Sequence, residues 1–152
     1  MENAARGLAI GVFDLFHVGH LRYLQYAASQ CRDLVVAVTP DDTVSEMKRR
    51  RPVIPQEQRL EIVRGLGFVA EARLLPSSTE YTETAAAWIA DWDIQHVICG
   101  GGWEGSARWA RLVPALAAYG ISVQFASYTD TVSTTRILET VLERFGTAGG
   151  DR

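Results

Sequence analysis

Residues 11 to 20 read Gly-Val-Phe-Asp-Leu-Phe-His-Val-Gly-His, with two imidazoles, His17 and His20, three positions apart. An apolar run over residues 8–12 leads into this decade, and a helical pattern (Leu21, Leu24, Gln25, Ala28) leaves it. The histidines therefore fall where a strand turns into a helix. Such a junction gathers free backbone N–H groups and the positive end of a helix dipole, which suits an anion. Gly11, ahead of Val12, Phe13 and Asp14, allows close approach of backbone to a phosphate, and Gly19 keeps the helix start free of a side chain. One helical turn apart, His17 and His20 can point at the same bound group.

Three further segments carry matching chemistry. Lys48 and Arg51 follow the second apolar run. Lys48 is the one lysine among fifteen basic residues, the other fourteen being arginine, and so marks a place for a compact point charge. Gly100-Gly101-Gly102-Trp103-Glu104-Gly105 follows a fourth run, and Ser133-Thr134-Thr135 opens the last helical pattern, where hydroxyls and free N–H groups together suit a phosphate. Two phosphate cradles, two imidazoles and one ammonium describe a triphosphate site with groups poised over one phosphorus. The histidines could also form a metal pair, but no third ligand is spaced for it. Gly100, Gly102 and Gly105 satisfy GxGxxG, yet that fingerprint belongs on the first strand-to-helix turn. Neither a Ser-His-Asp set nor a Cys-His set accompanies these segments.

Positioning these groups at one place requires alternating strands and helices. The pattern predicts strands over 8–13, 34–39, 68–75, 95–99 and 121–126. It predicts helices over 18–31, 56–66, 79–91, 106–119 and 133–145. Residues 40–55, polar with two prolines and a Lys-Arg cluster, read as a loop with one short helical turn near 41–47. This order implies an α/β fold, a Rossmann-like, doubly wound, five-stranded parallel sheet with helices on both faces. Ligands of such sheets bind beyond the carboxyl ends of the strands, where every segment above lies. Trp88, Trp92 and Trp109 sit at helical spacings and read as core or subunit contacts. Residues 1–145 form one domain, and 146–152 form a flexible tail or a linker.

Composition narrows the classes. The chain has 152 residues, 47% hydrophobic and 22% charged, with a net charge of −3, as in a soluble globular domain. This disfavours a nucleic-acid partner, with Lys48 to Arg51 a local basic exception. No run is long enough to span a membrane, and residues 1–6 lack a signal-type stretch. Cys31 and Cys99 match no metal or redox spacing and read as reduced thiols of a cytoplasmic protein.

Residues 11–20 resemble the GxFDxxHxGH motif of the nucleotidyltransferase family that contains glycerol-3-phosphate cytidylyltransferase and the heptose-phosphate adenylyltransferases. Arg51 to Arg59 is similar to its KPxxPxEQR segment, Trp103-Glu104-Gly105 to GDDWEG, and Val132 to Thr135 to GISTT. The chain departs from the cytidylyltransferase pattern at Gly101 and Gly102, which replace aspartates, and at Gly67 and Tyr128, which replace arginines.

The resemblance implies transfer of CMP from CTP to a small phosphate- or phosphonate-bearing acceptor, with release of pyrophosphate and with Mg²⁺ on the triphosphate. The alternatives are an adenylyltransferase that uses ATP and a non-catalytic nucleotide-binding module. His17, His20 and Lys48 would be catalytic. Gly11, Val12, Phe13, Asp14, Gly19, Gly100, Gly102, Trp103, Ser133, Thr134 and Thr135 would bind the nucleotide, with Asp14 orienting a histidine or the loop. Asp41, Arg51 and Arg59 would bind the acceptor. A homodimer is implied, and the tail leaves room for fusion to another catalytic domain.

Overall fold

The computed structural model describes residues 5–127 and 132–146. Five strands, β1 (Arg6–Gly11), β2 (Asp33–Val38), β3 (Glu71–Leu74), β4 (His96–Cys99) and β5 (Ser122–Phe125), form one parallel sheet in the order β3-β2-β1-β4-β5. Among the described residues six α-helices accompany the sheet: α1 (Val18–Ser29), α2 (Asp41–Lys48), α3 (Gln56–Arg64), α4 (Thr82–Asp91), α5 (Ala107–Ala117) and α6 (Thr134–Phe145). The α/β sheet read from the sequence is the sheet observed.

Strand side chains alternate between two cores. Leu8, Val35, Ala37 and Val97 pack on one face against Ala85, Ala86 and Ile89 of α4 and Trp109, Leu112 and Leu116 of α5. Ala9, Leu34, Val36, Val38 and Ile98 pack on the other against Leu24 and Ala27 of α1 and Val63 of α3. Near-continuous apolar strands are what burial on both faces demands. Trp88 and Trp109 are buried as expected.

The chain order reverses between β1 and β4. β1 pairs with β2 over six residues but with β4 only at Gly7↔His96 and Leu8↔Val97. Beyond Leu8 the two strands part, and the partly buried Tyr23 of α1 bridges the split. Its hydroxyl donates to the Ile98 carbonyl at 2.5 Å and accepts a long bond from the Ile10 N–H at 3.4 Å. Two backbone groups that the parting would strand are thereby paired.

Two boundaries differ in an informative way. Residues 41–47 were expected to give one turn within a loop, but α2 is an eight-residue helix. Asp41 and Asp42 complement the dipole in its first turn, and Lys48 does so in its last. Arg49 closes it in the left-handed conformation, φ 56°. Residues 79–81, expected to be helical, lie ahead of α4 and leave Ser78 and Thr79 at the carboxyl edge of the sheet.

A candidate nucleotide site at the parting of β1 and β4

A cavity of about 500 Å³ opens at that edge. Of the residues singled out above, Gly11, Val12, Phe13, Asp14, His20, Lys48, Arg51, Trp103, Thr134 and Thr135 line it. Its wall also includes Tyr23, Thr43, Met47, Arg50, Ser78, Thr79, Arg108 and Trp109, which the sequence reading missed. Ser78 and Thr79 follow β3, so the same strand-edge rule would have found them.

The loop from β1 to α1 is tightly wound. Phe13 and Leu15 both take positive φ, 56° and 49°, a costly conformation for residues with a Cβ. The Phe13 ring folds back over Gly11, where a Cβ would stand 2.7 Å from it. Gly11 thus makes room for this ring, in addition to any approach of ligand to backbone.

Asp14 fixes the loop. Its carboxylate accepts from the backbone N–H groups of Val53 (2.8 Å), Ile54 (2.9 Å) and Leu15 (3.1 Å), and its carbonyl accepts from Thr134 Oγ1 (2.8 Å). One residue therefore joins the histidine loop to the segment after α2 and to the start of α6. These bonds tie the loop down, and none of them is to a histidine side chain.

The histidines cap α1 reciprocally. Gly19 N–H donates to His17 Nδ1 at 3.1 Å, and His17 N–H donates to His20 Nδ1 at 3.3 Å. With each Nδ1 accepting, the neutral rings carry their proton on Nε2. Burial lowers the His17 pKa. Burial, reinforced by His17 and Lys48 and opposed by Asp14, pushes His20 down to about 4. Both rings are neutral N–H donors at pH 7. His17 does not line the cavity; it stacks on His20, and its buried Nε2 has no partner among the described residues.

Gly19, Gly100, Gly102 and Ser133 stand one step back from the cavity. The Gly100 carbonyl accepts from Trp103 N–H at 3.0 Å in the short turn (Gly101–Trp103) that carries the indole to the cavity wall. Ser133 caps α6 by accepting from Arg136 N–H at 3.0 Å. Tyr128 lies outside the described residues, as do 147–152 of the expected tail.

Two expected acceptor ligands need correction. Arg59 is fully buried. Its guanidinium donates to the carbonyls of Ile54, Val12 and Thr39 and pairs with Asp41 Oδ1 at 2.7 Å. Asp41 is held in turn by Gln56 N–H at 3.3 Å. Burial pushes the Asp41 carboxyl up, but hydrogen bonds from Arg59 and Gln56 and the charges of Arg59 and Arg51 bring it below its ordinary value. Neither side chain reaches the cavity, so both are positioning residues. Arg51 does line it, paired loosely with Asp42 at 3.3 Å.

A five-stranded parallel sheet reversed at β1, with a charged cavity beyond that reversal, defines a Rossmann-like α/β domain whose site lies at the topological switch point. The chain belongs to the cytidylyltransferase-like family, whose model matches residues 8–140. An FAD synthase of Thermococcus onnurineus is 48% identical over 77 residues, 50% of this chain and 51% of that protein. The bifunctional protein HldE of Pelobacter propionicus is 32% identical over 146 residues, 93% of this chain and 28% of that protein. The chain thus spans about half the length of that FAD synthase. The lipopolysaccharide core biosynthesis protein from Thermoplasma volcanium superposes with a TM-score of 0.65 at 26% identity, over 83% of this chain and 98% of that one. No helix among the described residues is long and apolar enough to cross a membrane.

Proposed function

We propose that this chain is a nucleotidyltransferase domain that moves a nucleoside monophosphate from a Mg²⁺-bound nucleoside triphosphate to a small anionic acceptor. The observation that carries this reading is the reciprocal capping of His17 and His20, which leaves the proton of His20 on Nε2 in a cavity wall shared with Lys48 and Thr134 at the start of α6 and stacks His17 behind it. An acceptor oxygen forms a bond to the α-phosphorus while the bond to the bridging oxygen breaks. The electron pair leaves with pyrophosphate, and no covalent enzyme intermediate forms. His20 and Lys48 stabilise charge at the α-phosphate and bridging oxygen, with His17 beside them. Thr134, Thr135 and the N–H groups of α6 hold the departing phosphates.

A general base is not needed. Asp14, the carboxylate in the cavity wall, is committed to three backbone N–H groups, and His20 carries its proton on Nε2. The acceptor must bring an oxygen already ionised at neutral pH, such as that of a phosphate or phosphonate. Mg²⁺ enters with the triphosphate as part of the substrate.

Adenine is the base the relatives favour, because an FAD synthase makes a product that contains adenylate. Cytosine is the second reading, carried by Trp103-Glu104-Gly105 at the cavity wall. The match to a quarter of a bifunctional protein supports a module in a longer chain. Pyrophosphate release, measured with ATP and CTP against phosphate and phosphonate acceptors and followed by mass spectrometry of the product, tests the proposal. Turnover with ATP supports the first reading and turnover with CTP the second. Nucleotide binding that raises the melting temperature without any turnover would establish a non-catalytic module instead.

A further inference from the structure

The functional reading leaves one partly buried cation unexplained. Arg108, in the first turn of α5, lines the cavity with its side chain only 16% exposed. Its guanidinium lies over the Trp103 ring at 4.7 Å and donates to Thr79 Oγ1 at 3.3 Å. The nearest carboxylate it meets among the described residues is Glu80, at 4.0 Å, itself 58% exposed. A ring face, a neutral hydroxyl and a distant solvated carboxylate compensate a half-desolvated guanidinium poorly. Arg59 shows the contrast, with three carbonyls and a carboxylate at 2.6–2.8 Å. Arg108 is therefore only weakly paired, through Glu80 at the limit of an ion pair, and it lines the cavity.

Its place in the fold says which anion. The histidines come from α1, packed on one face of the sheet, and Arg108 comes from α5, packed on the other. Thr79 and Ser78 reach the same wall from the loop after β3. In-line displacement puts the incoming oxygen opposite the departing pyrophosphate. If pyrophosphate leaves toward the histidines and α6, the acceptor approaches from the α5 side.

We propose that Arg108, held in position by Trp103 and Thr79, is the acceptor's anion-binding residue, and that it takes a phosphate or phosphonate group. This rests on the nucleotidyltransferase reading and names its second subsite. The planar fork suits two oxygens of such a group, and the Trp103 ring packs against it at 4.7 Å. Arg108 thus takes the acceptor role that the sequence suggested for Arg59.

The test uses the whole chain loaded with Mg²⁺ and an ATP analogue methylene-bridged between its α- and β-phosphates, with inorganic phosphate as the acceptor probe in calorimetry. Loading fills the triphosphate region, so added phosphate must use another place. Arg108→Gln should weaken phosphate binding at least about tenfold, equivalent to about 1.4 kcal/mol, and leave the analogue's affinity within about twofold. Arg108→Lys, which keeps the charge but loses the fork, should fall between the two. Equal phosphate affinity in wild type and Arg108→Gln, no phosphate binding in the loaded wild type, or a tenfold loss confined to the analogue would each overturn the proposal. Failure of the wild type to bind any nucleotide would instead remove the functional reading beneath it.

Discussion

The imidazoles of His17 and His20 stack with ring centroids 3.7 Å apart and planes inclined by 23°. Two rings this close repel as a pair of cations, so the stack favours neutral rings that act as donors. His20→Ala is expected to cut turnover by roughly a hundred- to a thousandfold, the usual loss for one such donor. His17→Ala should lose as much activity, and about 1 kcal/mol of stability besides, because His17 also caps α1. Steady-state kinetics with urea denaturation separates the two losses; full activity in either variant would refute their role.

Gly19 is fixed by its neighbour. A Cβ there would stand 2.9 Å from His17 Cε1 and 3.0 Å from its Nδ1. Alanine within a helix normally stabilises relative to glycine by up to about 1 kcal/mol. Gly19→Ala should therefore fold as well as the wild type, yet lose on the order of a hundredfold in turnover through the displaced ring. Normal activity with a normal melting temperature would show that the ring's place is unimportant.

Acid should weaken the fold through these rings. His20 has a folded-state pKa of about 4 against 6.5 for the free group. Between those values the unfolded chain binds a proton that the folded chain refuses. Stability is thus fully present above about pH 6.5 and falls as the pH drops toward 4. His17, shifted the same way, adds to the slope. Urea unfolding across this range should show a decline that His20→Asn flattens. An identical decline in that variant would assign it to other groups.

Arg59 should behave as a structural residue. Arg59→Leu leaves the Asp41 carboxylate and three carbonyls without their donor, at a cost of about 3–5 kcal/mol. Arg59→Lys should rescue little, because one ammonium cannot span the same acceptors. A variant of normal stability with a raised KM for the acceptor would return Arg59 to the substrate.

Tyr23 tests the parting of the strands. Tyr23→Phe removes the partner of Ile98 O and Ile10 N–H and should cost about 1–3 kcal/mol. Hydrogen exchange should quicken at Ile10 more than at Leu8, whose strand is still paired with β4. Unchanged exchange at Ile10 would make the hydroxyl's bond incidental.

Much of this protein is written locally. Five apolar runs, their helical interludes and the 11–20 decade each rest on periodicity, caps and turns within a few residues, and these predicted the parallel sheet and the edge where the cavity opens. What lies far apart in the chain was decided only by tertiary structure. Asp14 spends its carboxylate on N–H groups 39 and 40 residues away, and Arg59 turns inward to carbonyls 20 and 47 residues behind it. Arg108 of α5 meets Thr79, 29 residues earlier, in the loop between β3 and α4. A charged residue has the same identity whether it faces solvent, core or ligand. Which of these it meets depends on the segments that the sheet order brings together, and no stretch of local sequence encodes that.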